Sequence, residues 1–261
     1  MIININDYNI NYEVSGEHND DFDCLLIHGW GTNLYSLRLT AKIISNKYKV
    51  YSIDLPGFGK SDSLKKSFNI DDYVDIVIDF IKQIGIKNIC LVGHSYGGRI
   101  IIKMNNRIDL PFDIKQNVFI DSAGIKQKPK KTIRTYIYKF LKNLYMYMPL
   151  KKETKEQKLE ELKNKFGSSD YRNAKGFLRD TLVKSVNEDL SDDIKNINKK
   201  TLLIWGEKDT ATPMKDAEYF KENIKDSELH IINNAGHFPF IDDPFGYESI
   251  IKEYFGINYY R

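Results

Sequence analysis

The segment Gly93-His94-Ser95-Tyr96-Gly97-Gly98 places a serine at the tip of a glycine-flanked turn. An apolar run, Asn88 to Val92, leads into it, and a helix-compatible stretch, Arg99 to Met104, leads out. A strand, a sharp turn and a helix in that order force the serine into a strained backbone conformation and lift its Oγ out at the top of a sheet. Glycines on either side leave room where a Cβ would clash. Such a serine is a candidate nucleophile for acyl transfer when a base and an orienting acid accompany it. His237, in Asn234-Ala235-Gly236-His237-Phe238, is the candidate base, because an imidazole accepts and returns a proton near neutral pH. Asp209, in Trp205-Gly206-Glu207-Lys208-Asp209, is the candidate acid that fixes the imidazole tautomer and stabilises the imidazolium. Asp121, at the end of another apolar run, is the rival for that role. The backbone N–H of Tyr96 and that of Trp30, in the turn Gly29-Trp30-Gly31, are the expected oxyanion donors. His28 and His94 are expected to brace the neighbouring turns, and Asp54 and Asp62 to stabilise the loop Leu55 to Asp62.

These groups can meet only if a parallel sheet brings the ends of several strands together. Short apolar runs at Tyr8 to Ser15, Cys24 to His28, Val50 to Asp54, Asn88 to Val92, Gln116 to Ile120, Thr201 to Trp205 and Leu229 to Ile232 read as strands. Leu37 to Asn46 and Ile70 to Ile84 carry apolar residues at helical spacing, and helices are expected from Pro213 and Pro244. This alternation implies an α/β fold with a mostly parallel central sheet and helices on both faces. Each candidate residue then falls just after a strand, at one edge of the sheet.

One stretch breaks the alternation. Residues 125–194 contain no clear buried strand and read as helices over Thr132 to Tyr147, Glu153 to Lys165 and Tyr171 to Val186. An insertion at this edge is expected to cover the site as a cap. The domain reading is therefore a core of residues 1–124 and 195–261 with a helical cap at 125–194. From Lys126 to Lys165 there are 13 Lys and Arg against 4 Glu, a local charge of about +9 interleaved with Tyr136, Tyr138, Phe140, Tyr145 and Tyr147. One expectation for this stretch is a solvated basic face with its apolar side over the core. The other is a surface that attracts an anionic or acyl-carrier substrate or touches a membrane.

The net charge of +3 is too small to argue for nucleic acid, and no nucleic-acid motif is present. Cys24 and Cys90 each sit in an apolar run and are expected to be buried thiols. No run of about 18 apolar residues exists, so no transmembrane segment is expected. The N-terminal residues lack a basic region followed by an apolar one, and a cytoplasmic location is the expectation.

Taken in order, His28-Gly29-Trp30-Gly31, Asp54-Leu55-Pro56-Gly57-Phe58-Gly59, Gly93 to Gly98, Gly206 to Asp209 and Gly236-His237 resemble the α/β-hydrolase superfamily over nearly the whole chain. The first two motifs look like those of small carboxylesterases, including the biotin-pathway esterase that cleaves a pimeloyl methyl ester. The resemblance implies a serine hydrolase that cleaves a carboxylic ester or thioester through an acyl-enzyme. It implies no metal and no organic cofactor, because the triad of Ser95, His237 and Asp209 with its oxyanion donors is sufficient. Trp30, Tyr96, Arg99 and Phe238 are the expected pocket residues. Gly-Gly-Arg at Arg99 is similar to a menaquinone-pathway synthase in which the arginine meets a substrate carboxylate; an ion pair within the fold is its other reading. A carbon–carbon bond hydrolase or lyase, and a slow ligand-sensing protein, are the alternatives to the esterase.

Overall fold

The computed structural model describes residues 1–127 and 133–258. β1 (Ile2–Ile5) and β2 (Tyr8–Ser15) form an antiparallel hairpin. β3 (Asp23–Ile27), α1 (Arg38–Ile44), β4 (Val50–Ile53), α2 (Ile70–Ile84), β5 (Asn88–His94), α3 (Tyr96–Asn105) and β6 (Asp113–Ile120) follow. Four helices then come in succession: α4 (Ile133–Tyr147), α5 (Lys152–Phe166), α6 (Ser169–Asn173) and α7 (Phe177–Asn187). After the short α8 (Ser191–Ile194) the alternation resumes with β7 (Lys200–Gly206), α9 (Met214–Asn223), β8 (Ser227–Ile232), α10 (Pro239–Asp242) and α11 (Pro244–Phe255).

All eight strands belong to one sheet, in the order β1-β2-β4-β3-β5-β6-β7-β8. β2 pairs antiparallel with β4, and every pairing from β4 through β8 is parallel. β3 is buried from end to end, and Cys24 to Ile27 form the apolar run expected of a strand covered on both faces. Because successive side chains point to opposite faces, the strands feed two separate cores. Leu25, Leu91, Leu203 and Trp205 pack with Tyr73, Phe80, Ile101 and Phe220 from α2, α3 and α9. Cys24, Leu26, Val92 and Ile204 pack with Ile43, Tyr247 and Phe255 from α1 and α11. Cys24 and Cys90 lie opposite each other on β3 and β5 as buried free thiols.

Local chemistry sets the helix ends. Asn69 and Asp72 form a reciprocal capping box at the start of α2, and Gly85, at φ 84°, closes it. Pro244 occupies the first turn of α11, whereas Pro213 sits one residue before α9 as its N-cap. The strand β1 is not signalled by the sequence pattern, because only Ile5 of its four residues is buried. The expected single helix from Tyr171 to Val186 is two helices, α6 and α7. Gly176 breaks them, at φ 51° and ψ −134°, a conformation that side chains disfavour. The start of the expected helix at Thr132 lies outside the described residues.

The helices between β6 and β7 divide into two parts. α7 is tied to the sheet edge: Thr181 Oγ1 accepts the Phe68 N–H at 2.8 Å, and Ser185 Oγ lies 3.0 Å from the Tyr96 hydroxyl. α4 has α5 as its principal neighbour. An apolar face over the core was one expectation for this stretch. Instead α4 turns Tyr136, Phe140 and Tyr147 outward at 61%, 67% and 88% exposure. No helix among the described residues is long and apolar enough to cross a membrane.

Candidate active site

The parallel strands end at one edge, and the loops leaving β3, β5, β6, β7 and β8 converge there, as they do at the carboxyl edge of open α/β sheets. Ser95 stands between β5 and α3 at φ 49° and ψ −107°. Its backbone is held by three hydrogen bonds: its N–H donates to Ile120 O at 3.0 Å, and its carbonyl accepts from Gly98 N (3.1 Å) and Ala123 N (3.0 Å). The surrounding glycines allow the close approach this demands. A Cβ on Gly97 would strike the Ile27 carbonyl, and one on Gly29 would lie 2.7 Å from His94 Nδ1.

The loop after β8 brings His237 Nε2 to 2.8 Å from Ser95 Oγ. Its Nδ1 lies 2.7 Å from Asp209 Oδ2. With Asp209 ionised, Nδ1–H is the donor, which leaves Nε2 as the acceptor for the serine proton. Asp209 is itself fixed: Oδ1 accepts from Ala211 N (2.7 Å) and Thr212 N (3.1 Å), and Oδ2 also accepts from Thr212 Oγ1 (2.5 Å). Burial pushes the Asp209 carboxyl up, but the hydrogen bonds from His237 and Thr212 outweigh it and hold the pKa at about 2. Thr212 was not singled out from the sequence, although an acid followed three residues later by threonine is a recognisable side-chain turn.

Asp121, the rival acid, is fully buried and accepts the Gly206 N–H at 2.9 Å with one oxygen, while its other oxygen has no partner. Burial, countered by that N–H but reinforced by neighbouring Asp209, pushes its pKa up to about 9. Ligand-type atoms of Asp121, Asp209 and His237 lie within 4.8 Å of one another. The donor set suits a proton relay better than a metal, since His237 Nδ1 carries the hydrogen that Asp209 accepts.

His94 lies beside the elbow, its Nε2–H donating to His237 O at 2.8 Å. Burial and the nearby His237 hold it neutral, with a pKa of about 3. His28 joins two loops: Nδ1–H donates to Gly29 O at 2.7 Å, and Nε2 accepts the Leu55 N–H at 3.1 Å. Asp54 receives Leu34 N, Lys60 N and the Asn11 amide, and Asp62 receives Asn9 N, so both acids pin their glycine-rich loop.

The backbone N–H groups of Trp30 and Tyr96 donate to no acceptor among the described residues, and both residues border the space over Ser95. That space is a cavity of about 570 Å³. Trp30, Tyr96, Arg99 and Phe238, the four expected pocket residues, all line it. α6 and α7 supply Asp170, Leu182 and Val186 to its lining. The Trp30 ring packs edge-on against Tyr96 and Phe58, with centroids 5.2 and 5.0 Å away. Arg99 is 6% exposed, and its Nη1 donates to Glu188 O at 3.1 Å. Among the described residues no carboxylate forms an ion pair with it, so the reading of Arg99 as a helix-anchoring ion pair does not hold.

Comparison with known proteins agrees with this architecture. Residues 25–244 match the family model for the alpha/beta hydrolase fold. The chain belongs to the α/β-hydrolase family and is a hydrolase. It is 27% identical over 228 residues to the uncharacterized hydrolase YugF of Bacillus subtilis, covering 81% of each chain. It is 28% identical over 247 residues to the pimeloyl-[acyl-carrier protein] methyl ester esterase of Wigglesworthia glossinidia brevipalpis, covering 87% of this chain and 91% of that one. Among solved structures, an esterase from Exiguobacterium antarcticum superposes with a TM-score of 0.74 at 20% identity, covering 98% of both chains.

Proposed function

We propose that the chain is a serine esterase that cleaves a small-molecule carboxylic ester or thioester through an acyl-enzyme. The observation that carries this reading is the unbroken series Ser95 Oγ to His237 Nε2 at 2.8 Å and His237 Nδ1 to Asp209 Oδ2 at 2.7 Å. Ser95 Oγ attacks the carbonyl carbon while His237 takes its proton. The oxyanion forms against the N–H groups of Trp30 and Tyr96, where preorganised donors are worth about 3 kcal/mol each. His237 then protonates the leaving alcohol or thiol. Water, deprotonated by the same imidazole, attacks the acyl-enzyme and returns Ser95 to its starting state. Asp209 keeps the imidazole in the required tautomer throughout. In this reading residues 125–194 are a cap over the core of 1–124 and 195–261, and α7 forms the roof of the acyl pocket. The esterase among the relatives supports the choice of an ester substrate.

The test is steady-state hydrolysis of p-nitrophenyl esters from acetate to decanoate, with Ser95→Ala alongside. Wild-type turnover is expected, with kcat about 10⁴-fold lower or less still in the variant. Equal turnover by a folded Ser95→Ala chain contradicts the reading.

One observation favours a second reading, carbon–carbon bond cleavage on a substrate that bears a carboxylate. Arg99 places a buried guanidinium in the pocket wall that makes one hydrogen bond among the described residues. Glu188, Asp189 and Asp216 act on it electrostatically, but none of them pairs with it directly, and a substrate carboxylate could take that position. Arg99→Ala is expected to reduce kcat/KM about tenfold or more for acyl groups ending in a carboxylate and to spare neutral acyl groups. An equal loss on both would remove the carboxylate from the account.

A further inference from the structure

We propose that the outer face of α4 docks the protein on an anionic lipid bilayer. The inference goes beyond the esterase reading and does not depend on it.

α4 presents Tyr136, Ile137, Phe140, Leu144 and Tyr147 on one side, at three- and four-residue spacings that align them along the helix. Each is at least 45% exposed. Soluble surfaces seldom gather apolar side chains in one stripe without a partner for them. The opposite side of α4 is already used: Tyr138 packs against Phe166, and Lys158 lies over the Tyr145 ring. The stripe is therefore what remains after the helix has packed, not the face by which it packs.

Charge decides between the possible occupants. Residues Lys126 to Lys165 carry about +9 in sequence against about −6 for the rest of the chain, and α4 itself holds Lys139 and Lys142, both exposed, and no acidic residue. Lys139, Lys142, Lys151 and Lys152 are exposed and form no ion pair among the described residues. A second copy of the chain would bring the same positive charge face to face, which opposes self-association through α4. The side-chain types favour lipid over an acidic protein. Tyrosine and phenylalanine with flanking lysines suit the boundary between headgroups and acyl chains, where a ring is partly buried and its polar end stays wet. α6 and α7, which follow α4 and α5 in the chain, wall the cavity over Ser95.

Flotation with vesicles tests the proposal on the full chain. One vesicle set is phosphatidylcholine alone; the other is equal parts phosphatidylcholine and phosphatidylglycerol. The wild-type chain is expected to float with the anionic vesicles and to remain in solution with the neutral ones. Lys139→Glu with Lys142→Glu, and separately Phe140→Asp with Tyr147→Asp, should each lower anionic-vesicle binding about tenfold or more. The far-UV circular dichroism spectrum and thermal unfolding should be unchanged in both, which shows that the fold is intact. Absence of flotation, or flotation equal in wild type and variants, overturns the proposal. So does a wild-type chain that ignores vesicles but dimerises through Phe140 or binds an acidic acyl-carrier protein in a manner lost in the Lys139→Glu, Lys142→Glu chain.

Discussion

The loops at the carboxyl edge of the sheet and the hairpin of α4 and α5 are built on opposite terms. At the edge, the groups of the triad are held by many hydrogen bonds. Asp209 receives two backbone N–H groups, a hydroxyl and an imidazole, and Ser95 is held in its unfavourable conformation by three backbone hydrogen bonds. In the hairpin the described ties between the helices include the Tyr138–Phe166 ring contact, Lys158 over the Tyr145 ring and Lys155 Nζ donating to Met146 O. The difference follows from what each region must hold. A strained serine and a buried carboxylate persist only where their surroundings over-determine them. An exposed amphipathic hairpin has no strain to maintain, and its surface is left free to carry charge and apolar area.

This contrast can be broken by substitution. The largest effect is expected at the most constrained polar group. Asp209→Asn keeps the shape but lets Nδ1 of His237 lose its hydrogen-bond acceptor, and kcat on p-nitrophenyl butyrate should fall about 10⁴-fold with the circular dichroism spectrum unchanged. A fall of less than tenfold would mean that Asp209 does not orient the base.

Next comes packing. Gly97→Ala forces a methyl group onto the Ile27 carbonyl and should destabilise the chain by about 3 kcal/mol in urea unfolding. In the hairpin, Tyr147→Ser, at a residue 88% exposed, should change stability by no more than about 0.5 kcal/mol. Similar costs at the two positions would erase the contrast.

The last effect is one of pH. Asp121 has its pKa raised to about 9 in the folded chain by burial, against an ordinary unfolded value of about 3.9. At neutral pH the folded chain holds a proton there that the unfolded chain has released. The stabilisation linked to that proton is complete below about pH 4 and is lost as pH rises toward about 9. Asp121→Asn removes the titrating group and keeps the acceptor for the Gly206 N–H. Its unfolding free energy should decline less steeply between about pH 5 and about pH 9, by at most about 1.4 kcal/mol per pH unit. Parallel pH profiles for wild type and variant would show that Asp121 is ionised when folded.

The same contrast governs how much the sequence discloses. The sheet was legible because β3, β5 and β7 are buried on both faces and so carry apolar runs, Cys24 to Ile27, Ile89 to Val92 and Leu202 to Trp205. The residues gathered at its edge were legible because a tight turn restricts their neighbours: glycines beside Ser95, and Gly206 and Gly236 near Asp209 and His237. Other features carry no such restriction. β1 has one buried residue and no period. Ser185, which meets the Tyr96 hydroxyl, comes from the inserted helices, and nothing in its local sequence marks it. For α4 the helical spacing is plain in the sequence, but a periodic stripe does not say whether a partner covers it, and the choice between burial and exposure rested on tertiary packing. Arg99 is the intermediate case. Its position one turn past Ser95 marks it for the pocket, while the absence of an ion pair is visible only in three dimensions.

The central claim is that Ser95 is a nucleophile activated by His237. Intact-mass spectrometry after treatment with an alkyl fluorophosphonate tests it most directly. The account predicts a single adduct per chain, mapped to the peptide containing Ser95, with labelling abolished in Ser95→Ala and greatly slowed in His237→Ala. A wild-type chain that turns over esters yet stays unlabelled, or carries its adduct on another residue, would contradict it.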